Sequence, residues 1–483
     1  MSNKDSSIKE FEQNRIKLVK DIYEKKYENI EITEKDINAN DIFLSEIPTS
    51  FKFEEDFYYN LAMKYKSEIE NHQFFKDLQF MPKGCLLHHH LTDCIDINWI
   101  SEIVMKEENI QNIYMRKFRN KFDILVYTKK PKTDDQPFKN IIEQYLKENE
   151  GKTVNDYFYF KLSMNPDEII KAKNNDEAWT IFMPKYFFCY FLIFYKNFYK
   201  EHVKNALNQC IKDKQYRLET RIGPGCVKNE NFEPISEDEE MKIYLEELND
   251  IKSLNSDLNF SFGIIIEIIK NKELNVLSEK IKKSLELKKK YPDLVCGIDL
   301  CGDEDNFKSL YDLKEIILSH NESELPWILH CGETIKAKNQ NLIDGVLFKA
   351  KRLGHCINLF KLGDLYEHVK KNQIVLEINP ISNQTLRQVR DLRLHPSIGY
   401  HNNGIKITIN NDDPTLYNTK GVTYDFFVSV VTMEFNLLDL KCFGLNSIDG
   451  SQISAELKNE YKDKFLQDWN EFLDYFIKKY KKN

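Results

Sequence analysis

Apolar positions along this chain keep one period near the N-terminus and switch between two periods afterwards. Over residues 8–76, side chains such as Ile16, Leu18, Val19 and Ile22 recur at spacings of three and four, which predicts amphipathic helices. Beyond them, short apolar runs alternate with longer helical patterns. The runs Gly84–His90, Tyr216–Arg221, Leu258–Ile266, Leu294–Leu300, Trp327–His330, Arg352–His355, Ile374–Ile378 and Ile405–Ile409 predict strands. Helical patterns such as Leu274–Lys290, Asp312–Leu318 and Leu342–Lys351 lie between several of them, so the strands should run parallel. Eight is the number that closes a TIM (β/α)8 barrel. A doubly wound open sheet is the rival, but it usually carries a Gly-rich phosphate turn, and no GxGxxG occurs among the 16 glycines. Residues 101–165 interrupt the alternation and read as a segment inserted after the first strand. The helices expected at Val422–Leu438 and Tyr461–Tyr480 finish the outer ring and tail. The predicted organisation is an N-terminal helical extension over 1–76 and a barrel over 77–483.

Composition narrows the class. With 483 residues, 41% hydrophobic and 13% aromatic, the chain can bury a large core, which excludes general disorder and a small disulfide scaffold. The charge balance, 69 − 77 = −8, argues against a nucleic-acid partner held by bulk electrostatics. The most apolar run, Tyr186–Tyr195, is bracketed by Lys185 and Lys196. It reaches about half of the ~20 residues a membrane span needs, so a buried core helix is expected there and no membrane partner. The ten cysteines are scattered without a Cys-x-x-Cys, and no apolar signal core follows Met1–Ser7. A reducing, cytoplasmic setting is the expectation. The triplets Asn321-Glu322-Ser323 and Asn383-Gln384-Thr385 have the form of glycosylation sites but arise readily by chance.

Four groups of residues carry candidate chemistry, each at the C-terminal end of a predicted strand, where barrel enzymes place catalysis. In Leu87-His88-His89-His90, alternate residues of a strand point the same way, so His88 and His90 can face one point while His89 faces the other side. Trp327-Ile328-Leu329-His330-Cys331-Gly332-Glu333 is an apolar strand ending in a histidine, with a carboxylate three residues later. Arg352-Leu353-Gly354-His355 ends likewise, and Lys406–Ile409 delivers the adjacent acids Asp412 and Asp413. His330 or His355 could be a satisfied core residue, and Asp412-Asp413-Pro414 an ordinary turn. Taken jointly, all four fall in register with the strand pattern. Three histidines and an aspartate suit Zn²⁺ with room for a water, which leaves Glu333 for proton transfer. That is a metal-assisted hydrolytic site.

These residues resemble the adenosine deaminases. The resemblance is carried by Met81-Pro82-Lys83-Gly84 ahead of the His-x-His, by His330-Cys331-Gly332-Glu333, by Arg352-Leu353-Gly354-His355 and by Asp412-Asp413-Pro414. Tyr291–Leu294, Gly297–Glu304, Pro380-Ile381-Ser382-Asn383-Gln384 and Asp391–Pro396 are similar to one branch, the adenosine deaminase-like growth factors. The resemblance implies a barrel of the metal-dependent hydrolase type that converts adenosine, and 2'-deoxyadenosine, to inosine and ammonia with one zinc per chain. It implies His88, His90, His330 and Asp412 as zinc ligands and Glu333 as the donor to purine N1. His355 and Asp412 would orient the attacking water, Asp413 would bind N7, the Gly302 backbone would meet N3, and Trp179 would lie near the ribose. The family often has an Asp directly after its His-x-His; here Leu91 and Thr92 precede Asp93, the candidate ribose contact. The branch's inserted segment is usually stapled by a disulfide, and 101–165 contains no cysteine. Its N-terminal helices commonly form a homodimer interface, and its members are typically secreted, which sets extracellular action beside the cytoplasmic expectation. Two alternatives remain. A deaminase of a purine nucleotide or N6-modified adenine would need a phosphate site, and no Arg/Lys cluster adjoins the motifs. A growth-factor-like binding protein would use the barrel only as a scaffold, yet every metal and proton-transfer position is filled.

Overall fold

A computed structural model describes residues 3–481 apart from 29, 49–54, 60, 120, 255–257 and 321–323. Its centre is built from eight short parallel strands: β1 (Gly84–Leu86), β2 (Gln215–Ile222), β3 (Ser261–Ile269), β4 (Val295–Cys301), β5 (Ile328–Cys331), β6 (Arg352–His355), β7 (Val375–Ile378) and β8 (Ile407–Ile409). β1-β2-β3-β4 and β5-β6-β7-β8 are each hydrogen-bonded in sequence order. Parallel bridges Ile298–Trp327 and His89–Asp412 join the two sheets, so the strands close into a TIM barrel. Both faces of such strands are covered, which is why they read as nearly unbroken apolar runs.

All eight predicted runs coincide with a strand, Arg352–His355 with the same ends and the others with shifted ones. The first ladder stops at Leu86 rather than His90, because the Asn410 side chain accepts the backbone N–H groups of Leu87 and His88 (3.0 and 3.1 Å). Beyond Leu86 the chain is held by single parallel bridges, His89 to Asp412 and His90 to Arg221, at the barrel's end. β3 lies three residues later than expected, since its apolar sequence continues through Ile268 and Ile269.

Several strands carry charged residues inward. Arg221 Nε donates to Asp299 (2.6 Å) and its Nη2 to Glu377 (2.8 Å); Arg352 Nε donates to Glu377 (2.5 Å) and its Nη1 pairs with Glu219 (2.7 Å). Arg217 completes the layer on Glu219 at 2.7 Å. All six are buried.

Within 101–165 the chain forms an antiparallel sheet absent from the sequence reading: Ile113–Phe118 pairs with Phe122–Tyr127 and with Gln136–Pro137. Phe118 and Phe122 pack on Phe187 (centroids 5.3 and 4.8 Å apart), and so dock this hairpin onto the helix Asn175–Leu192. That helix ends three residues before the predicted run does. It buries Phe188, Cys189 and Leu192, while Tyr186, Phe187 and Tyr190 are only partly buried and line a cavity.

At the N-terminus, Glu34–Glu46 is fastened to the barrel's last helices by Asp36, which accepts from Lys441 Nζ and Trp469 Nε1 at 2.8 Å each. The preceding helix, Asn3–Tyr27, is tied by Tyr27 to Asp439 (2.8 Å), yet Ile8, Phe11, Ile16, Leu18, Val19 and Ile22 stay exposed. All ten cysteines are free. Among the described residues no helix is long and apolar enough to cross a membrane. Asn321-Glu322-Ser323 lies outside the described residues, and Asn383 is fully buried, which removes it as a glycan acceptor.

Candidate active site

The C-terminal ends of the strands bring His90, His330, His355, Asp412, Asp413 and Glu333 to one cavity, with His88 beside His330 and Asp412 just behind its wall, all buried. His88 Nε2 lies 3.1 Å from His330 Nε2 and 3.1 Å from Asp412 Oδ1; His90 Nε2 is 3.3 Å from the same oxygen. The far side of each ring settles what these nitrogens are. His88 Nδ1 donates to Glu377 (2.8 Å), His90 Nδ1 to Glu267 (3.0 Å) and His330 Nδ1 to Asp299 (2.6 Å). A carboxylate takes only a proton-bearing nitrogen as partner, so the neutral form of each ring would carry its lone pair on Nε2, turned toward the centre of the site. Facing lone pairs and a carboxylate repel unless a cation stands among them. Two buried groups with ligand atoms within 4.8 Å of one another, His88 with His330, His355 and Asp412, and His90 with Asp412 and Asp413, share Asp412, and such imidazoles and carboxylates fit a metal ion.

Local sequence explains the approach. A Cβ on Gly354 would come within 2.8 Å of the His88 ring, so only glycine at that strand position lets the ring lie flat against β6. His355 and Asp412 both adopt left-handed backbone (φ 65° and 54°), conformations that cost a non-glycine residue about 1–3 kcal/mol and persist where surrounding structure imposes them.

The electrostatics divide the acids. Burial alone would raise Asp412, but His88 and His90 hold its carboxyl well below the usual range. Burial and the neighbouring Asp412 push Glu333 well above it, and burial with Asp412 does the same for Asp413. Burial and charge thus favour the ionised form of Asp412 and the protonated forms of Glu333 and Asp413. Burial keeps His330 neutral, down at about 4, and takes His355 well below its usual value. His355 Nε2 stands 4.0 Å from both Glu333 Oε1 and Asp412 Oδ2.

The cavity measures about 640 Å³, inside the range for sites that enclose a small ligand. Trp179, Phe182, Met183, Tyr186 and Tyr190 form one wall at helical spacing, and Gly302, Cys301 and Phe307 stand among the other lining residues. Asp93 is placed differently from its expected role. It is fully buried, accepts from Thr92 Oγ1 at 2.5 Å and is not among the lining residues. His89 turns away to Thr220 (2.7 Å), as the strand alternation predicts. Three cations sit on the cavity wall, Arg119 and Lys121 from the hairpin and Lys272 after β3.

Sequence reasoning passed over Glu267, Asp299 and Glu377, which orient the three imidazoles. Each is a lone acid inside a buried apolar strand, as in Ile264-Ile265-Ile266-Glu267-Ile268-Ile269. A buried charge has to be paired, so that pattern was the available signal.

A family model described as adenosine deaminase matches residues 162–468. Adenosine deaminase 2 of Pongo abelii is 29% identical over 420 residues, which cover 84% of this chain and 81% of the relative. In structure, the N6-methyl-AMP deaminase of Arabidopsis thaliana superposes with a TM-score of 0.57 at 16% identity, over 81% of this chain and 98% of that one. A cog1816 amidohydrolase from Burkholderia ambifaria, with bound Zn, gives 0.55 at 15% identity over 83% and 94%. With the family match spanning well over half its length and a barrel end of this composition, the chain belongs to the adenosine deaminase family.

Proposed function

We propose that the protein is a zinc-dependent hydrolase converting adenosine, and 2'-deoxyadenosine, to inosine and ammonia. The observation that carries this reading is the set of three carboxylate-oriented imidazoles gathered around Asp412 beside Glu333, whose carboxyl burial and Asp412 push up. His88, His90, His330 and Asp412 would hold the ion, whose chemistry is that of a Lewis acid that makes a water acidic near neutral pH. Glu333, whose protonated form is favoured by burial and Asp412, delivers a proton to purine N1, which draws electron density from C6. His355 and Asp412 flank the position from which the attacking oxygen reaches C6. Adenine N7 is an acceptor, so the raised, protonated Asp413 is the matching donor. Trp179 and its aromatic neighbours enclose the sugar side and exclude water, and Gly302 borders the ring.

A specific observation favours a second reading, deamination of a purine nucleotide or N6-modified adenine. Arg119, Lys121 and Lys272 on the cavity wall suit an anionic group on the substrate, and the Arabidopsis neighbour is an N6-methyl-AMP deaminase. The exposed apolar side chains of Asn3–Tyr27 support a homodimer, and ten free thiols support a reducing, cytoplasmic setting.

The test combines metal analysis with ultraviolet assays on adenosine, AMP and N6-methyl-AMP. One zinc per chain and fastest turnover of adenosine are expected. A faster, salt-sensitive reaction with either nucleotide would favour the second reading; a protein inert toward all three would sink both.

A further inference from the structure

His355 differs from the other three histidines in what holds its rear nitrogen. Its Nδ1 meets the amide of Asn383 at 3.0 Å, with Asn379 Nδ2 at 3.4 Å, rather than a carboxylate. Which way the Asn383 amide faces decides where the His355 proton lies, and two groups of fixed character set it from opposite ends. At one end, His395 Nδ1 meets the Ser397 hydroxyl (2.7 Å), which can donate or accept, and the backbone N–H of Ser397 (3.2 Å), which can only donate. Burial holds His395 neutral, down at about 3, so its single proton is on Nε2 and is donated to Asn383 Oδ1 (3.1 Å). The Asn383 NH₂ is thereby turned the other way. It gives one hydrogen to His355 Nδ1 and one to Gln388 Oε1 (2.8 Å).

At the other end, the backbone carbonyl of Glu333, which can only accept, lies 3.4 Å from Gln388 Nε2. That fixes Gln388 with its NH₂ toward Glu333 and its oxygen toward Asn383, the same sense as before. The same NH₂ donates to Glu333 Oε1 at 3.1 Å. Every member of the chain is buried, so no solvent competes for these hydrogen bonds, and a reversed amide would leave donor facing donor.

We propose that Asn383, Gln388 and His395 are positioning residues that fix the His355 proton on Nε2 and, by occupying Glu333 Oε1, assign the Glu333 acid proton to Oε2. One amide, Asn383, then orients both proton-transfer groups together. His355 presents an N–H to the attacking oxygen and acts there as a hydrogen-bond donor. Its role in catalysis rests on the deaminase reading, whereas the tautomer does not.

The test therefore has two arms. In the first, ¹⁵N-histidine-labelled, metal-loaded full-length protein is examined by two-bond ¹H–¹⁵N correlation, with His355 assigned through His355→Gln. The Nε2–H tautomer is expected. In Asn383→Asp the new carboxylate accepts from Nδ1, and the pattern should invert or show both nitrogens protonated. An Nδ1–H tautomer in the unaltered protein, or no change in Asn383→Asp, overturns the proposal. The second arm compares His395→Gln, which keeps a donor toward Asn383, with His395→Phe, which has none. The Gln variant should retain the Nε2–H tautomer, with kcat within about fivefold of wild type. The Phe variant should show mixed tautomers and kcat lowered about 100-fold, KM within about threefold and little change in Tm. Equal loss in both would overturn the relay. Should no purine be deaminated, the kinetic reading falls with the proposed function, and the spectra still decide the tautomer.

Discussion

Two layers of buried charge lie one above the other in this barrel. In the deeper layer Arg217, Arg221 and Arg352 interlock with Glu219, Asp299 and Glu377 at 2.5–2.8 Å, each cation matched by an anion. In the upper layer His88, His90 and His330 turn Nε2 toward the centre of the site, where His88 and His90 meet Asp412, and burial favours the protonated forms of Glu333 and Asp413. Buried ion pairs are seldom worth more than well-packed apolar side chains. Stability is therefore a poor explanation for the deeper layer. Its connection upward is a better one, since Asp299 and Glu377 each use one carboxylate for an arginine below and an imidazole above. The lower layer is closed so that the upper can stay open toward a ligand.

The largest expected effect separates function from stability. Glu333→Gln removes the acid while keeping its shape, and kcat should fall about 10⁴-fold, ~5 kcal/mol on the barrier, with Tm and bound metal unchanged. Because burial and Asp412 raise Glu333, the wild-type rate should decline as pH rises through that elevated value, when the acid loses its proton. The residual rate of the variant should lack this decline. A variant that keeps most of its activity would remove Glu333 from its role.

Next in size is a break in the deeper layer. Arg221→Met strips the shared partner from Asp299 and Glu377 and leaves two buried carboxylates under-compensated. A loss of about 4 kcal/mol in denaturant unfolding is expected. If stability hardly changes, the lower layer is not the closed network described. Smaller again is Glu377→Gln, which weakens the orientation of His88 Nδ1 without leaving a cavity. Metal affinity should fall about 10–100-fold by competition with a chelator. Unchanged affinity would uncouple the two layers.

The same contrast explains what the sequence discloses. Strand runs such as Ile374–Ile378 are legible because a parallel strand covered on both faces is apolar almost throughout, and the four motifs are legible because they end such runs. The exact end of β1 is not, since it depends on Asn410, more than 300 positions away, capturing two backbone N–H groups. Metal-type residues could be read from spacing, but their oriented nitrogens could not. Glu267, Asp299 and Glu377 come from three other strands, and only closure of the barrel brings them behind the rings. The hairpin at Ile113–Tyr127 lacks a strong turn signal, and its aromatics find their partners on a helix some 60 positions later.

The cavity wall offers a third arrangement of charge, and the smallest expected effect. Arg119, Lys121 and Lys272 have no ion-pair partner among the described residues, and Arg119 and Lys121 are exposed, so water and salt screen them. An anionic substrate passing them would gain about 1 kcal/mol at most, and an uncharged nucleoside nothing. Arg119→Ser with Lys121→Ser should therefore lower kcat/KM for AMP about fivefold at low ionic strength, and the difference should vanish near 0.5 M salt. For adenosine the change should stay under about twofold under either condition. Equal losses for both substrates would mean that these side chains act by holding the hairpin over the cavity, through the Phe118 and Phe122 packing beneath them, and not by their charge.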